Sequence, residues 1–167
     1  KLAVYNDLEP AWRESLFHSA EELSGFHHVN EQYAFRRDHI MEALRVANIP
    51  MEFDAIIARG GLLKPTPGGV YRIDEHIKHD LWNADMEHVS NLAAIIADEL
   101  AASIGCPAFI ADPVVTDELR DVARLTGIPE IERISIFHAL NSRAVSRKYA
   151  AREGRRYEDM NLIVAHL

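Results

Sequence analysis

The sequence has one cysteine, no long apolar run and no excess of positive charge. With Cys106 alone, a framework of internal disulfides is excluded. No apolar stretch approaches the roughly 20 residues that a helix needs to cross a bilayer, and the amino terminus has no basic segment followed by an apolar one. The formal net charge of −8 argues against sequence-independent binding of nucleic-acid phosphates. These absences predict a soluble, cytoplasmic protein whose partners include neither nucleic acid nor a membrane.

Three short apolar runs each end on a polar side chain. They are residues 54–59, 107–112 and 161–166. Short apolar runs bounded by turn formers are typical of strands covered on both faces, and Pro113 cannot continue a ladder. Because ligands of open α/β sheets bind outside the carboxyl ends of the strands, Arg59, Asp112 and His166 predict one shared site. Each of the three alone is better explained as an ordinary polar end of a strand, and only the three together favour a site.

The segments between these runs show helical periodicity. Helices are predicted over residues 35–48, 74–82, 88–104 and 135–153, with a further one from Thr116 or Asp117 to Gly127. The segments 2–5 and 12–18 flank a turn signal and predict an opening hairpin. The alternation of helix and strand predicts an α/β fold with a mostly parallel sheet, which the hairpin makes mixed.

The last predicted helix carries both an apolar and a basic stripe. Its helical spacing directs Phe137, Leu140, Ala144 and Val145 inward. The basic run comprises Arg143, Arg147, Lys148, Arg152, Arg155 and Arg156. Cations in the carboxyl half of a helix complement its dipole, so we interpret the basic run as a solvated face.

Two motifs offer polar groups to a ligand. Arg59 precedes Gly60 and Gly61, and this motif combines a guanidinium, whose fork matches carboxylate or phosphate oxygens, with a backbone that a ligand can approach closely. A surface ion pair before a glycine turn explains it equally well. His138, near the start of the last helix, is placed to donate to a developing anion, and a core histidine bonded to a carbonyl has similar weight.

A pair of histidines, His76-x-x-His79, lies on one face of a predicted helix. No third ligand follows at a diagnostic spacing, and the pattern lacks the H-E-x-x-H signature of a zinc helix. A solvated helix face is therefore the better interpretation than a metal site.

Five blocks of the sequence together resemble the butyrate kinase family. They are residues 58–65, 88–92, 109–115, 135–141 and 162–166. This family is grouped with acetate kinase among proteins whose two domains each hold a ribonuclease-H-like mixed sheet flanked by helices. The resemblance implies transfer of the γ-phosphoryl group of ATP to butyrate or a related short-chain carboxylic acid, with Mg²⁺, giving an acyl phosphate and ADP.

The resemblance also implies roles for individual residues. Arg59 matches the arginine that holds the acid or the transferring phosphoryl group, and Asp112 the acidic residue that orients the magnesium shell through water. His138 matches the histidine that donates to the transferring group, which completes the implied catalytic set. The implied substrate-binding residues are Gly60, Gly61, His88 and Phe137, with the two glycines leaving room for a longer acyl chain. His166 precedes an implied phosphate loop.

The chain departs from the family pattern at both ends. The family's first strand and phosphate loop would precede Lys1, and its second phosphate loop and whole second domain would follow His166. The resemblance therefore implies that residues 1–160 form a first, acid-binding domain and that residues 161–167 open an absent nucleotide-binding domain that supplies most of the ATP site. We expect the fragment alone to be inactive. Whether the complete protein forms a homodimer is left open.

Two alternatives stand beside this hypothesis. An acetate, propionate or branched-chain acid kinase would use the same residues, since one methylene changes discrimination by only about 1–3 kcal/mol. A non-catalytic α/β module would keep the fold and bind a small acid through Arg59.

Overall fold

The computed structural model of the chain describes residues 1–165, so the predicted phosphate residue His166 lies outside the described residues. The chain divides after Asp54 into two compact units. Among the described residues, none of the helices is long and apolar enough to span a membrane.

The first unit opens with the predicted hairpin. Strand β1 (Leu2–Asn6) pairs antiparallel with β2 (Glu9–Glu14), and Asp7 turns the chain with a positive φ of 51°. The hairpin is confirmed, although its second strand begins earlier than expected. Its strands expose most of their side chains, and they form a separate two-stranded sheet. The expectation that this hairpin makes the main sheet mixed is therefore wrong.

Helices complete the first unit. They are α1 (Ala20–Leu23), a 3-10 turn (Val29–Gln32) and α2 (Tyr33–Val46). A capping box starts α1, in which Oγ of Ser19 accepts from the N–H of Glu22 at 3.1 Å and the Ser19 N–H donates to Oε2 of Glu22 at 2.7 Å. The predicted helix over residues 35–48 is confirmed as α2, displaced by about one half turn.

The second unit is built on a mixed three-stranded sheet. Strand β3 (Ile56–Ala58) runs parallel to β5 (Ala108–Ala111), and β4 (Val70–Arg72) lies antiparallel on the other side of β5. The two predicted parallel strands are confirmed, but β3 is not covered on both faces, since Ile57 is 64% exposed. The sheet is mixed, as predicted, but through β4. Residues 161–165 form no strand. The side chain of Ile163 is fully exposed. No strand in the described part of the chain pairs with the segment 161–165.

Helices α3 (Glu75–Trp82) and α4 (Ser90–Ile104) build the core with this sheet. Asp74 caps α3 as predicted, with its carboxylate accepting from the N–H of Ile77 at 2.8 Å. The buried core consists of small and branched side chains: Ala58, Ile73, Leu81, Ala94, Ala97, Ala101, Ala108 and Ile110. Alanines on α4 allow close approach to the strands. Gly105 ends α4 in the left-handed conformation, with φ 79°.

The region after β5 is less helical than predicted. Only α5 (Asp121–Arg124) forms between Thr116 and Gly127. The N–H of Asp117 donates to the carbonyl of Thr66 at 2.8 Å, and its carboxylate accepts from the N–H of Leu119 at 3.1 Å. The first bond ties the segment to the strand-bridging residue Thr66, and the second forms a local turn at Asp117 where a helix was predicted.

The last helix, α6 (Ala139–Arg152), starts later than predicted. The N–H of Phe137 donates to the carbonyl of Val114 at 2.9 Å, which holds the preceding residues against the segment after β5. The buried side chains of α6 are Ala139, Ser146 and Ala150. The predicted inward stripe is wrong, since Phe137, Leu140, Ala144 and Val145 are all exposed. A 3-10 turn (Tyr157–Asp159) follows.

Candidate active site at the carboxyl edge of the sheet

Three segments meet at the carboxyl edge of β3 and β5. Ala58 pairs with Ile110 in parallel register, so Arg59 and Asp112 leave neighbouring strands on the same edge. Because β4 is antiparallel and Val70 pairs with Ala111, the turn before β4 lies at this edge as well. The structure therefore brings two of the three predicted strand-end residues together.

Gly60 and Gly61 are buried and in close contact with protein atoms. A Cβ on Gly60 would lie 2.7 Å from Cβ of Pro113. A Cβ on Gly61 would overlap Asn91 and lie 2.8 Å from Cδ2 of Leu81. Both glycines therefore allow the loop after Arg59 to approach its neighbours closely. Their predicted role, space for an acyl chain, stays a prediction.

Asn91 joins the Arg59 loop to the start of α4. Its Oδ1 accepts from the N–H of Leu62 at 2.9 Å, and its Nδ2 donates to the carbonyl of Met86 at 3.1 Å. The Asn91 N–H donates to the carbonyl of His88 at 2.9 Å. Asn91 is not among the residues predicted for the site, although a buried asparagine needs polar partners.

His88 is exposed beside this connection. Its Nδ1 accepts from the N–H of Ser90 at 3.2 Å and lies 2.6 Å from the Ser90 hydroxyl. Because Nδ1 is the acceptor, the ring proton of a neutral His88 is on Nε2. His88 therefore offers a donor to solvent or to a ligand.

Asp112 is the most restrained of the predicted site residues. It is 9% exposed and has a left-handed backbone with φ 36°. Its Oδ1 accepts from the N–H of Gly69 at 2.9 Å and from Nη1 of Arg143 at 2.6 Å. Its own N–H donates to the carbonyl of Gly69 at 2.9 Å. These bonds fix the carboxylate at the edge of the sheet.

Arg143 connects α6 to this edge. It bridges Asp112 and Glu118, and Glu118 also accepts from the N–H of Gly68 at 3.1 Å. The hydrogen bond to Glu118 is the main cause that raises the pKa of Arg143, and its counterpart lowers the pKa of Glu118. For Arg143 the interpretation as a solvated face is wrong, since its side chain is only 20% exposed.

The remaining predicted residues lie at the amino end of α6. His138 occupies the cap position of α6 and is exposed, and Phe137 is 45% exposed. The N–H of Phe137 donates to the carbonyl of Val114, so Phe137 lies beside the segment that follows Asp112. Arg59 is exposed at the end of β3. The loops connected to this edge of the sheet therefore carry the exposed guanidinium of Arg59, the buried carboxylate of Asp112 and the exposed imidazoles of His88 and His138.

Three curated proteins align with this chain over its whole length. A "Probable butyrate kinase" of Phocaeicola vulgatus is 65% identical over 167 residues, which are 100% of this chain and 47% of that protein. A "Probable butyrate kinase" of Bacteroides thetaiotaomicron is 48% identical, over 100% of this chain and 48% of that protein. "Butyrate kinase 2" of Clostridium acetobutylicum is 46% identical, again over 100% of this chain and 48% of that protein. No protein-family model matches the chain.

The similarity agrees with the blocks of sequence that resemble butyrate kinase, so that recognition is confirmed. The chain spans about half the length of the curated relatives it matches. Over its entire length, the chain is therefore a homologue of proteins named butyrate kinase.

Proposed function

We propose that the natural protein carrying this chain is a carboxylate kinase, which transfers the γ-phosphoryl group of ATP to butyrate or a related short-chain acid and releases acyl phosphate and ADP. The observation that carries the proposal is the 46–65% identity, along all of the chain, to proteins named butyrate kinase. The polar edge formed by Arg59 and Asp112 supports it, because phosphoryl transfer needs positioned charges.

The proposed acceptor needs no strong general base. A carboxylic acid has a pKa of about 4 to 5 and is ionised near pH 7. Catalysis then consists of bringing two anions together and neutralising their charge. The exposed guanidinium of Arg59 is suited to this because its fork binds a carboxylate or phosphoryl group with two parallel hydrogen bonds.

Asp112 fits a magnesium ion bound through water. Carboxylate oxygens are hard ligands of the kind that Mg²⁺ takes, and Mg²⁺ keeps several of its waters. Gly69 and Arg143 both bond Oδ1 of Asp112, which orients Oδ2. The nearby cation disfavours direct coordination and favours hydrogen bonding of Oδ2 to a water. When bound, the ion would neutralise the charge of the phosphates.

The other residues have binding roles in this proposal. His138 donates a hydrogen bond to the transferring group from the amino end of α6, where the helix dipole favours negative charge. The exposed ring of Phe137 and Nε2 of His88 contact the acid. Gly60 and Gly61 bring the backbone of the Arg59 loop close to the bound acid. His166 contacts phosphate.

The proposal includes the organisation of the complete protein. Residues 1–160 belong to an acid-binding domain of the ribonuclease-H-like type, and residues 161–167 lead into a nucleotide-binding domain that supplies most of the ATP site. The mixed sheet flanked by helices is compatible with this assignment. The 167-residue chain alone is then inactive.

Formation of acyl phosphate tests the function directly. The natural protein is incubated with ATP, Mg²⁺ and acetate, propionate, butyrate or isobutyrate, and the product is trapped with hydroxylamine as the hydroxamate. We expect product with the highest kcat/KM for butyrate. A preference for another acid would correct the substrate but keep the kinase. A folded protein that binds butyrate by calorimetry and makes no hydroxamate from any acid would instead identify a binding module.

A further inference from the structure

Residues 1–54 hold a cluster of two imidazoles and a carboxylate that the proposed kinase chemistry does not use. His18 follows the hairpin, Glu22 lies in α1 and His39 lies in α2. One ligand atom from each lies within 4.8 Å of the other two. The histidines are half-buried and Glu22 is exposed, so the cluster opens to solvent on one side. We propose that His18, Glu22 and His39 bind a divalent transition-metal ion, with zinc as the best match.

His39 is oriented as a metal ligand. Its Nδ1 lies 2.8 Å from the carbonyl oxygen of Phe35, one helical turn earlier. A carbonyl can only accept, so Nδ1 carries the proton and the lone pair of a neutral ring is on Nε2. Ligating histidines usually donate their other N–H to a carbonyl or carboxylate, which fixes the tautomer and the ring plane. The bond from Nδ1 of His39 to the carbonyl of Phe35 is a contact of this kind.

His18 has a buried nitrogen that needs a partner. Its Nδ1 is inaccessible to solvent and makes no hydrogen bond within the described residues. The ring packs edge-on against Phe35, with centroids 4.8 Å apart, and against His39 at 5.0 Å. An unpaired buried nitrogen is costly, and a cation bound there would satisfy it.

Glu22 supplies the negative charge. The capping box with Ser19 fixes its position, because Oε2 accepts from the Ser19 N–H at 2.7 Å. As an exposed glutamate, Glu22 offers a carboxylate that is ionised at neutral pH. A carboxylate keeps further lone pairs when it accepts one hydrogen bond, and these stay available to a metal.

The ligand set selects the type of ion. Two imidazoles with one carboxylate suit zinc and its neighbours, whereas Mg²⁺ and Ca²⁺ prefer oxygen alone. Ligands about 2.1 Å from a tetrahedral zinc are about 3.4 Å apart, so small side-chain rotations would close the present spacing. Arg36 opposes a cation by its charge. Its guanidinium donates to Oε1 of Gln32 at 2.8 and 2.9 Å, which fixes its position but does not neutralise it.

The proposed ion would join three segments of the first unit. The three ligands belong to the exit of the hairpin, the short helix α1 and the longer helix α2. A four-residue helix is marginal without tertiary contacts. Metal binding would therefore raise the thermal stability of this unit, as any ligand specific to the folded state does.

Metal titration of the tag-free, chelator-treated protein tests the site. Calorimetry with ZnCl₂ and visible absorption with CoCl₂ are expected to show one site per chain, with Tm rising on addition of Zn²⁺. Glu22→Gln should weaken Zn²⁺ binding at least 10-fold and stay folded, because glutamine also completes a capping box. His39→Gln should abolish the Co²⁺ absorption band and the rise in Tm.

Two control variants use histidines outside the cluster. His76→Ala/His79→Ala and His27→Ala/His28→Ala should keep the wild-type affinity and stoichiometry, since these four residues are exposed elsewhere on the chain. The proposal would be overturned by absence of Zn²⁺ binding to the wild type. Unchanged affinity in Glu22→Gln and His39→Gln, or loss of the site in either control, would overturn it equally. Circular dichroism of every variant confirms that folding is intact.

Discussion

Nη1 of Arg143 lies 2.6 Å from Oδ1 of Asp112, and the same guanidinium bonds the carboxylate of Glu118. The contact joins the fifth residue of α6 to the residue that follows β5. It neutralises a buried charge and fixes the orientation of the carboxylate that we assign to magnesium. The ion pair therefore contributes both to the position of α6 and to the geometry of the proposed site.

Removing the guanidinium should destabilise the fold. In Arg143→Gln, Asp112 would keep its charge without a cation partner. We expect the free energy of unfolding to fall by about 2–3 kcal/mol, less than for a fully buried pair, because the Arg143 side chain is 20% exposed. Urea denaturation at pH 7 measures the change. Lys148→Gln, an exposed cation on the same helix, is the matched control and should change little.

Acid should weaken the same contact through Glu118. Its pKa is lowered from an ordinary value of 4.5, first by Arg143 and then by the N–H of Gly68. Its contribution to stability is therefore complete above pH 4.5 and is lost as the pH falls through the lowered folded-state pKa. We expect Glu118→Gln to be less stable than the wild type at pH 7, with the difference shrinking as the pH falls below 4.5. A difference independent of pH would contradict the assignment.

The two parallel strands and their polar ends could be predicted because the short apolar runs and the turn-forming residues beside them both indicate strands. Short apolar runs end at Arg59 and at Asp112, and the structure confirms both strands. The same agreement identified Asp74 as the cap of α3. Such features depend on a few neighbouring residues, which a sequence displays directly.

Features that depend on distant residues could not be predicted in this way. Strand β4 (Val70–Arg72) has three residues, two of them exposed, and is defined only by its pairing with β5. Arg143 stands in a run of exposed cations, and its partners Asp112 and Glu118 are 31 and 25 residues away. One signal was present, since Ala139, Arg143 and Ser146 share a helical face that small residues mark as buried.

Close packing against Asn91 explains why position 61 is a glycine. A Cβ there would overlap Asn91 and displace the loop after Arg59. We expect Gly61→Ala to lower the free energy of unfolding by about 1–3 kcal/mol, the usual cost of overpacking. Gly127→Ala is the control, because no atom lies within 4 Å of a Cβ at Gly127. Equal denaturation midpoints for the two variants would show that the loop moves without strain.

Asp112→Asn separates the charge of the site from its shape. Asparagine tolerates the left-handed backbone at this position, with φ 36°, and can still accept from the N–H of Gly69. We expect turnover of the natural enzyme to fall about 10–100-fold, as for residues that act on a metal through its outer shell. The Mg²⁺ concentration for half-maximal rate should rise, an effect that a loss of stability alone would not cause. Asp85→Asn, an exposed carboxylate, should leave both quantities unchanged.

Arg59 gives the sharpest test of how the acid is held. Lysine keeps the positive charge but not the fork, so Arg59→Lys removes one of two parallel hydrogen bonds. If Arg59 binds the acid, KM for butyrate should rise about 10-fold, the equivalent of roughly 1.4 kcal/mol, with a smaller change in kcat. If it binds the transferring phosphoryl group, kcat should fall and KM should stay near its wild-type value. Arg72→Lys is the matched control, because Arg72 pairs with Phe109 toward the amino end of β5, away from the proposed site. Wild-type kinetics in Arg59→Lys would remove Arg59 from the site, because neither binding role tolerates loss of the fork.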